Sequence, residues 1–244
     1  MNIVIFGGTT EGRELSAALS ARGVAVTVCV ATPYGREEQG DVPGVTVLTG
    51  RRSGEEKLAL LRTAALCVDA THPYATGITE SVRAACAAAN VPYRRLLRRA
   101  GDTSDALLVA DAAEAAEYLQ NTEGNVLLTT GAKELGAFTA LPRERLYARV
   151  LPSHEGITAC EAAGIPHRNI IAMQGPFSEE LNAALLRQFR IVYLVTKDGG
   201  AAGGYPEKAR AAKTCGARLI VLRRPEETGE TMEAILSEIE RMNT

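Results

Sequence analysis

The chain has 244 residues, 46% of them hydrophobic and 23% charged, which is enough apolar material for one large domain or two small ones and rules out a disordered chain. Its 27 basic and 29 acidic residues leave a net charge of −2, so no overall basic field draws it to nucleic acid or to a membrane surface. Five cysteines, odd in number and without a C-x-x-C pair, argue against zinc or a disulfide framework and for reduced thiols. No basic leader opens the sequence and no apolar run reaches membrane length, so a cytoplasmic protein is expected.

Residues 3–6 form an apolar run of the length of a buried parallel strand. It breaks at Gly7-Gly8-Thr9-Thr10-Glu11-Gly12-Arg13, and a helical pattern follows with Leu15, Ala18 and Leu19 on one face. Strand, glycine turn and helix leave unpaired N–H groups at the helix start, where the dipole also favours a phosphate. The spacing is neither G-x-G-x-x-G nor a P-loop, so a tight turn that binds nothing is the competing reading. Placement at the head of a βαβ pattern favours a nucleotide.

Further strands are expected at 24–30, 45–48 and 66–70, with a fifth starting at 91 and running into 94–99. Helical spacing marks 55–65 and 76–90. The small polar stretch 101–105 reads as the crossing between two halves. Beyond it, strands are expected at 125–130, 146–150, 170–173, 191–195 and 218–222, and helices at 111–119, 155–163, 178–189, 206–215 and 230–242. Gly131-Ala132-Lys133-Glu134 opens one more helix. The pattern predicts two Rossmann-like parallel-sheet α/β domains, 1–100 for a dinucleotide and 101–244 for substrate, with an interdomain cleft at the carboxyl ends of their strands.

Rossmann proteins that prefer NAD carry an acid at the end of the second strand. Here Thr32, Tyr34 and Arg36 follow that strand and Arg51 follows the third, which tilts the choice from NADH toward the 2′-phosphate of NADPH. Arg52 is expected at the surface. In Asp69-Ala70-Thr71-His72-Pro73-Tyr74-Ala75 the proline holds His72 out of helical geometry. His72 and Tyr74 are therefore the candidate proton donors, against a plain loop histidine beside a packing tyrosine. His154 and His167 show no ligand spacing, so no metal is expected.

Basic residues recur near strand ends, among them Arg95, Arg98, Arg99, Lys133, Arg149, Lys197 and Lys208. Single cations of this kind are usually solvated, but the clustering suggests an anion larger than a phosphate, such as a polycarboxylate. Arg98, Lys133, Arg149, Lys197 and Lys208 are taken as its binding set. With 5% aromatic residues the arginines lack interleaved stacking partners, which disfavours nucleic acid. The glycine loop from Thr196 to Lys208 lets backbone approach a ligand closely.

Together these segments resemble the precorrin-6A reductase family of cobalamin biosynthesis, including its cobalt-precorrin members. The resemblance is carried by Gly7 to Arg13, by Asp69 to Ala75, by Thr129-Thr130-Gly131-Ala132-Lys133, by Gly175-Pro176-Phe177-Ser178, and by Thr196-Lys197-Asp198 with Gly203 to Lys208. It implies hydride transfer from NADPH or NADH to one carbon–carbon double bond of a tetrapyrrole-derived macrocycle rich in acetate and propionate groups. A monomer or small homo-oligomer with no nucleic acid or membrane partner is expected. The alternatives are a non-redox tetrapyrrole lyase or cyclase and a non-catalytic NADP-binding sensor.

Overall fold

The first strand, β1 (Asn2–Phe6), is apolar on both faces because both faces are covered. Ile3 and Ile5 enter one core with Leu15, Leu19, Val26 and Val28, while Val4 and Phe6 enter another with Leu61, Cys67, Val82 and Cys86. The computed structural model describes residues 1–243. The chain forms two units, one of Met1–Arg98 with the segment from Pro225 on, the other of Arg99–Arg224.

In the first unit β1 is followed by α1 (Thr10–Ser20), β2 (Ala25–Val30), α2 (Pro33–Gln39), β3 (Val45–Thr49), α3 (Gly54–Leu61), β4 (Leu66–Asp69), α4 (Thr76–Ala89) and β5 (Tyr93–Arg95). Its strands are all parallel, in the order β3-β2-β1-β4-β5. The chain steps outward from β1 to β3 and then returns to the other side of β1. The ends of β1 and β4 are therefore the switch point at which open α/β sheets take ligands.

The second unit runs β6 (Leu107–Val109), α5 (Ala112–Gln120), β7 (Asn125–Leu128), a 3-10 helix Ala132–Phe138, β8 (Leu146–Val150), α6 (His154–Ala162), β9 (Ile170–Ala172), α7 (Glu179–Gln188), β10 (Ile191–Lys197), α8 (Tyr205–Cys215) and β11 (Arg218–Leu222). The order β6-β11-β10-β7-β8-β9, again wholly parallel, makes β7 and β10 its switch point.

The last helix, α9 (Met232–Met242), joins the first unit and not the second, contrary to the expected 101–244 domain. Ile235 and Ile239 are fully buried in the core that holds Ile3 and Ile5, worth about 1.5–3 kcal/mol each. The chain leading to it lies beside β5: Glu230 N donates to Arg95 O at 2.8 Å and Leu97 N to Glu230 O at 2.9 Å. A Cβ at Gly229 would fall 2.3 Å from Arg95 O, so only glycine permits that approach. This pairing replaces the expected continuation of the fifth strand to residue 99. Among the described residues no helix is long and apolar enough to cross a membrane.

Candidate functional site

At the first switch point each glycine has a separate task. Gly8 stands at φ +97°, which an L side chain rarely adopts, with no atom within 4 Å of the place its Cβ would take. Its backbone thus faces open space. Gly12 would carry a Cβ 3.2 Å from the Ala70 Cβ, and Gly7 one 3.2 Å from a Val28 methyl, so α1 starts close against the sheet. Thr9 caps α1 by accepting from Gly12 N at 3.2 Å and donates its own proton to Ala70 O at 2.8 Å, tying the helix start to the end of β4.

A second helix start adjoins the same turn. Thr32 caps α2 by accepting from Gly35 N at 3.0 Å, and a Cβ on Gly35 would lie 3.7 Å from the Gly8 Cα. The helices expected from the sequence do not include this one, although Thr32 followed by Pro33 is a helix-start signal. Two helix N-termini beside one open glycine favour a phosphate. Of the other proposed cofactor residues, Thr10 and Glu11 form the first turn of α1, Arg13 and Arg51 are exposed, and Tyr34 is half-buried. Burial first, then Glu38 and Glu37, push the Tyr34 phenol up. Arg36 pairs with Asp41 and donates to Gly40 O at 2.8 Å, closing its own helix. Arg52, expected at the surface, is half-buried, and the raised pKa of the buried Cys29 thiol is opposed by its charge.

The loop after β4 is held by a buried ion network that the sequence reading did not find. Asp69 is fully buried and accepts from Thr71 N at 3.0 Å, Thr71 Oγ1 at 2.7 Å, Tyr93 OH at 3.0 Å and Arg95 Nη1 at 2.7 Å. Arg95, only 3% exposed and not solvated as a lone strand-end cation would be, also donates to Thr71 O at 2.9 Å and pairs with Glu227 at 2.5 Å. Burial and then Asp69 raise the Tyr93 phenol pKa. Pinned this way, the loop carries His72 and Tyr74 side by side, with ring centroids 5.6 Å apart. The Tyr74 N–H points to His72 Nδ1 at 3.4 Å. α4 then starts at Thr76 with no side-chain cap. Arg98, expected among the substrate cations, lies at this first switch point, paired with Glu11 beside Thr9 and Thr71.

In the second unit two of the expected cations are buried together. Arg149, on β8, donates to Asn182 Oδ1 at 2.8 Å and lies 4.4 Å from the Phe177 ring centre. Lys208, in the first turns of α8, donates to Thr196 Oγ1 at 3.2 Å. Burial pulls Arg149 down to about 10; burial and then Arg149 pull Lys208 down to about 8, against the opposing charges of Asp198 and Glu207. Asp198 pins the glycine loop by accepting from Gly200 N at 2.9 Å and Gly101 N at 3.0 Å. Lys197 pairs with Glu134 at 2.7 Å, and Lys133 is exposed. Among the described residues no three His, Cys, Asp or Glu side chains group to hold a metal.

Comparison with known proteins gives the family. A family model described as precorrin-6x reductase CbiJ/CobK matches residues 2–240. The chain is 37% identical to the cobalt-precorrin-6A reductase of Salmonella typhimurium over 231 residues, covering 92% of this chain and 88% of that one. It is 33% identical to the cobalt-precorrin-6A reductase of Priestia megaterium, covering 97% and 96%, and 33% identical to the precorrin-6A reductase of Rhodococcus erythropolis, covering 91% and 89%. A solved structure described as CobK precorrin-6A reductase superposes with a TM-score of 0.80 at 24% identity, over 99% of this chain and 96% of that one, which supports the fold. On the family model and these relatives, the chain belongs to the precorrin-6x reductase CbiJ/CobK family.

Proposed function

We propose that the protein reduces one carbon–carbon double bond of precorrin-6A or its cobalt form, with a reduced nicotinamide dinucleotide bound at the glycine turn of the first unit. The observation that carries this is the open backbone at Gly8 between the starts of α1 and α2. It fits a pyrophosphate, because N–H groups and helix dipoles converge where no side chain intrudes. Arg13 and Arg51 are the cations available for a 2′-phosphate, which favours NADPH over NADH. When bound, the nicotinamide supplies the hydride.

The chain's own residues position and protonate. The Asp69–Arg95–Glu227 network holds the loop that carries His72 and Tyr74 against the switch point. Hydride addition to one carbon of the double bond leaves its neighbour electron-rich, and His72 or Tyr74 holds the proton for it. The buried charges of Arg149 and Lys208, with Arg98, Lys133 and Lys197, attract the carboxylates of the macrocycle. All five cysteines are free and four are buried, which suits a reducing cytoplasm.

The test is anaerobic incubation of the purified protein with metal-free and cobalt-containing precorrin-6A, each with NADPH and with NADH. Loss of reduced-nicotinamide absorbance in step with substrate consumption is expected, faster with NADPH. No oxidation in any arm would refute a reductase and leave the lyase or sensor reading.

A further inference from the structure

Two cations of the second unit are buried without a salt bridge among the described residues. Arg149 and Lys208 are only 8% and 9% exposed, and their hydrogen-bond acceptors, Asn182 Oδ1 and Thr196 Oγ1, are neutral. Burying a charge is costly unless an opposite charge meets it. The acids whose charges reach Lys208 are committed elsewhere. Asp198 pairs with Arg224 at 3.4 Å and accepts from Gly101 N and Gly200 N, and Glu207 pairs with Arg210 at 3.0 Å.

The two cations lie together, where the segment after β9 meets the start of α8. The Phe177 ring centre is 4.4 Å from the Arg149 guanidinium, and a Cβ on Gly204, which opens α8, would lie 3.3 Å from the Pro176 Cβ. The charge of Arg149 reaches the Lys208 amine. Asn182 fixes the guanidinium by accepting from its Nη1, and is itself held by donating to Phe177 O at 3.2 Å and Ser178 O at 2.8 Å. The Nε and Nη2 of Arg149 make no hydrogen bond among the described residues, yet they are not sealed in as the Nε of Arg52 is. Two donors of a fixed, nearly dry guanidinium therefore stay open to an incoming acceptor.

The other cations expected to meet the substrate differ. Arg98 pairs with Glu11, Lys197 pairs with Glu134 at 2.7 Å, and Lys133 is exposed. Charges already paired or hydrated steer an anion but hold it weakly. A guanidinium fork and an ammonium stripped of water hold a carboxylate strongly. We infer that Arg149 and Lys208 are the contact site for one acetate or propionate arm of the substrate, while Arg98, Lys133 and Lys197 only steer the macrocycle. The inference rests on the polycarboxylate substrate proposed above and adds which two of the five cations touch it.

Anaerobic equilibrium dialysis at saturating NADP+, which carries no hydride, measures Kd for the precorrin-6A form that wild type reduces. Lys208→Met and Arg149→Met each raise that Kd about 100-fold, as truncating one partner of a buried charge pair does, and leave Kd for NADPH within about twofold. Arg149→Lys keeps the charge but loses the fork, so its Kd rises only about 10-fold. Lys133→Ala, on an exposed residue, raises it at most about threefold. A wild-type Kd in either methionine variant overturns the site, as does a loss in Lys133→Ala as large as theirs. Failure of both methionine variants to fold overturns it too, by assigning the cations to the fold. A wild type that neither binds nor reduces either macrocycle form instead refutes the substrate proposed above, and the site with it.

Discussion

Five strands of the second sheet, β9-β8-β7-β10-β11, repeat the order of the first, β3-β2-β1-β4-β5, with β6 added at the edge, and the two sheets diverge where their central strands end. After β1, Gly8 stands open and Thr9 caps an α-helix seated on the sheet. After β7, Gly131 leads into a 3-10 helix, and the nearest capped start is that of α6. Topology selects the edge at which ligands bind, but the residues just past the strand decide which ligand it is. The units differ in their buried charges as well. In the first, Arg95 is the shared counter-ion of Asp69 and Glu227; in the second, Arg149 and Lys208 have polar and aromatic partners and make no ion pair among the described residues. An ion-paired network holds a loop in place, whereas two buried cations without a salt bridge, whose burial outweighs the charges of Asp198 and Glu207, destabilise the fold and are of use toward an anion.

That contrast breaks first on its paired side. Arg95→Met leaves Asp69 fully buried without its counter-ion, and urea unfolding at neutral pH should show a loss of about 3–5 kcal/mol. A loss below about 1 kcal/mol would mean that the network is not what holds the loop.

The unpaired side has the opposite sign. Burial disfavours the charge of the Lys208 amine and pulls its pKa down to about 8 in the fold, from its ordinary 10.5. Between those values the unfolded chain binds the extra proton, so stability rises with pH across that window and is flat below it. Wild type should gain roughly 3 kcal/mol from pH 8 to pH 10.5 through this group. Lys208→Met should be more stable than wild type at pH 7 by a similar amount, less active, and without that gain. A variant less stable than wild type at pH 7 would contradict a buried cation whose charge costs stability. The smallest effect expected is catalytic: His72→Ala lowers turnover about 10-fold or more, at least about 1.4 kcal/mol of transition-state stabilisation. Unchanged turnover would leave Tyr74 or solvent as the proton donor.

The strands buried on both faces are legible as unbroken apolar runs, and the glycine turn and the His72 loop are legible because their chemistry is local. β6 is not, since Leu107-Leu108-Val109 is too short to stand out and becomes a strand only by pairing with β11. Arg95 reads as a solvated cation because the acids that bury it, Asp69 and Glu227, are 26 and 132 residues away along the chain. The same non-locality hides the return of α9 to the first core. Thr130 was visible as part of a motif, but only folding shows that its hydroxyl is buried with no partner among the described residues. The pairing of Arg36 with Asp41, five residues on, is likewise seen only in the fold.

The central claim, that the glycine turn of the first unit is the dinucleotide site, is tested most directly by titrating NADPH into wild type and Gly8→Val and following nucleotide fluorescence. At φ +97° a valine strains the turn and fills the open side of the cradle, so affinity should fall roughly 100-fold or more while the variant stays folded by circular dichroism. A folded Gly8→Val that binds NADPH as tightly as wild type would place the cofactor elsewhere.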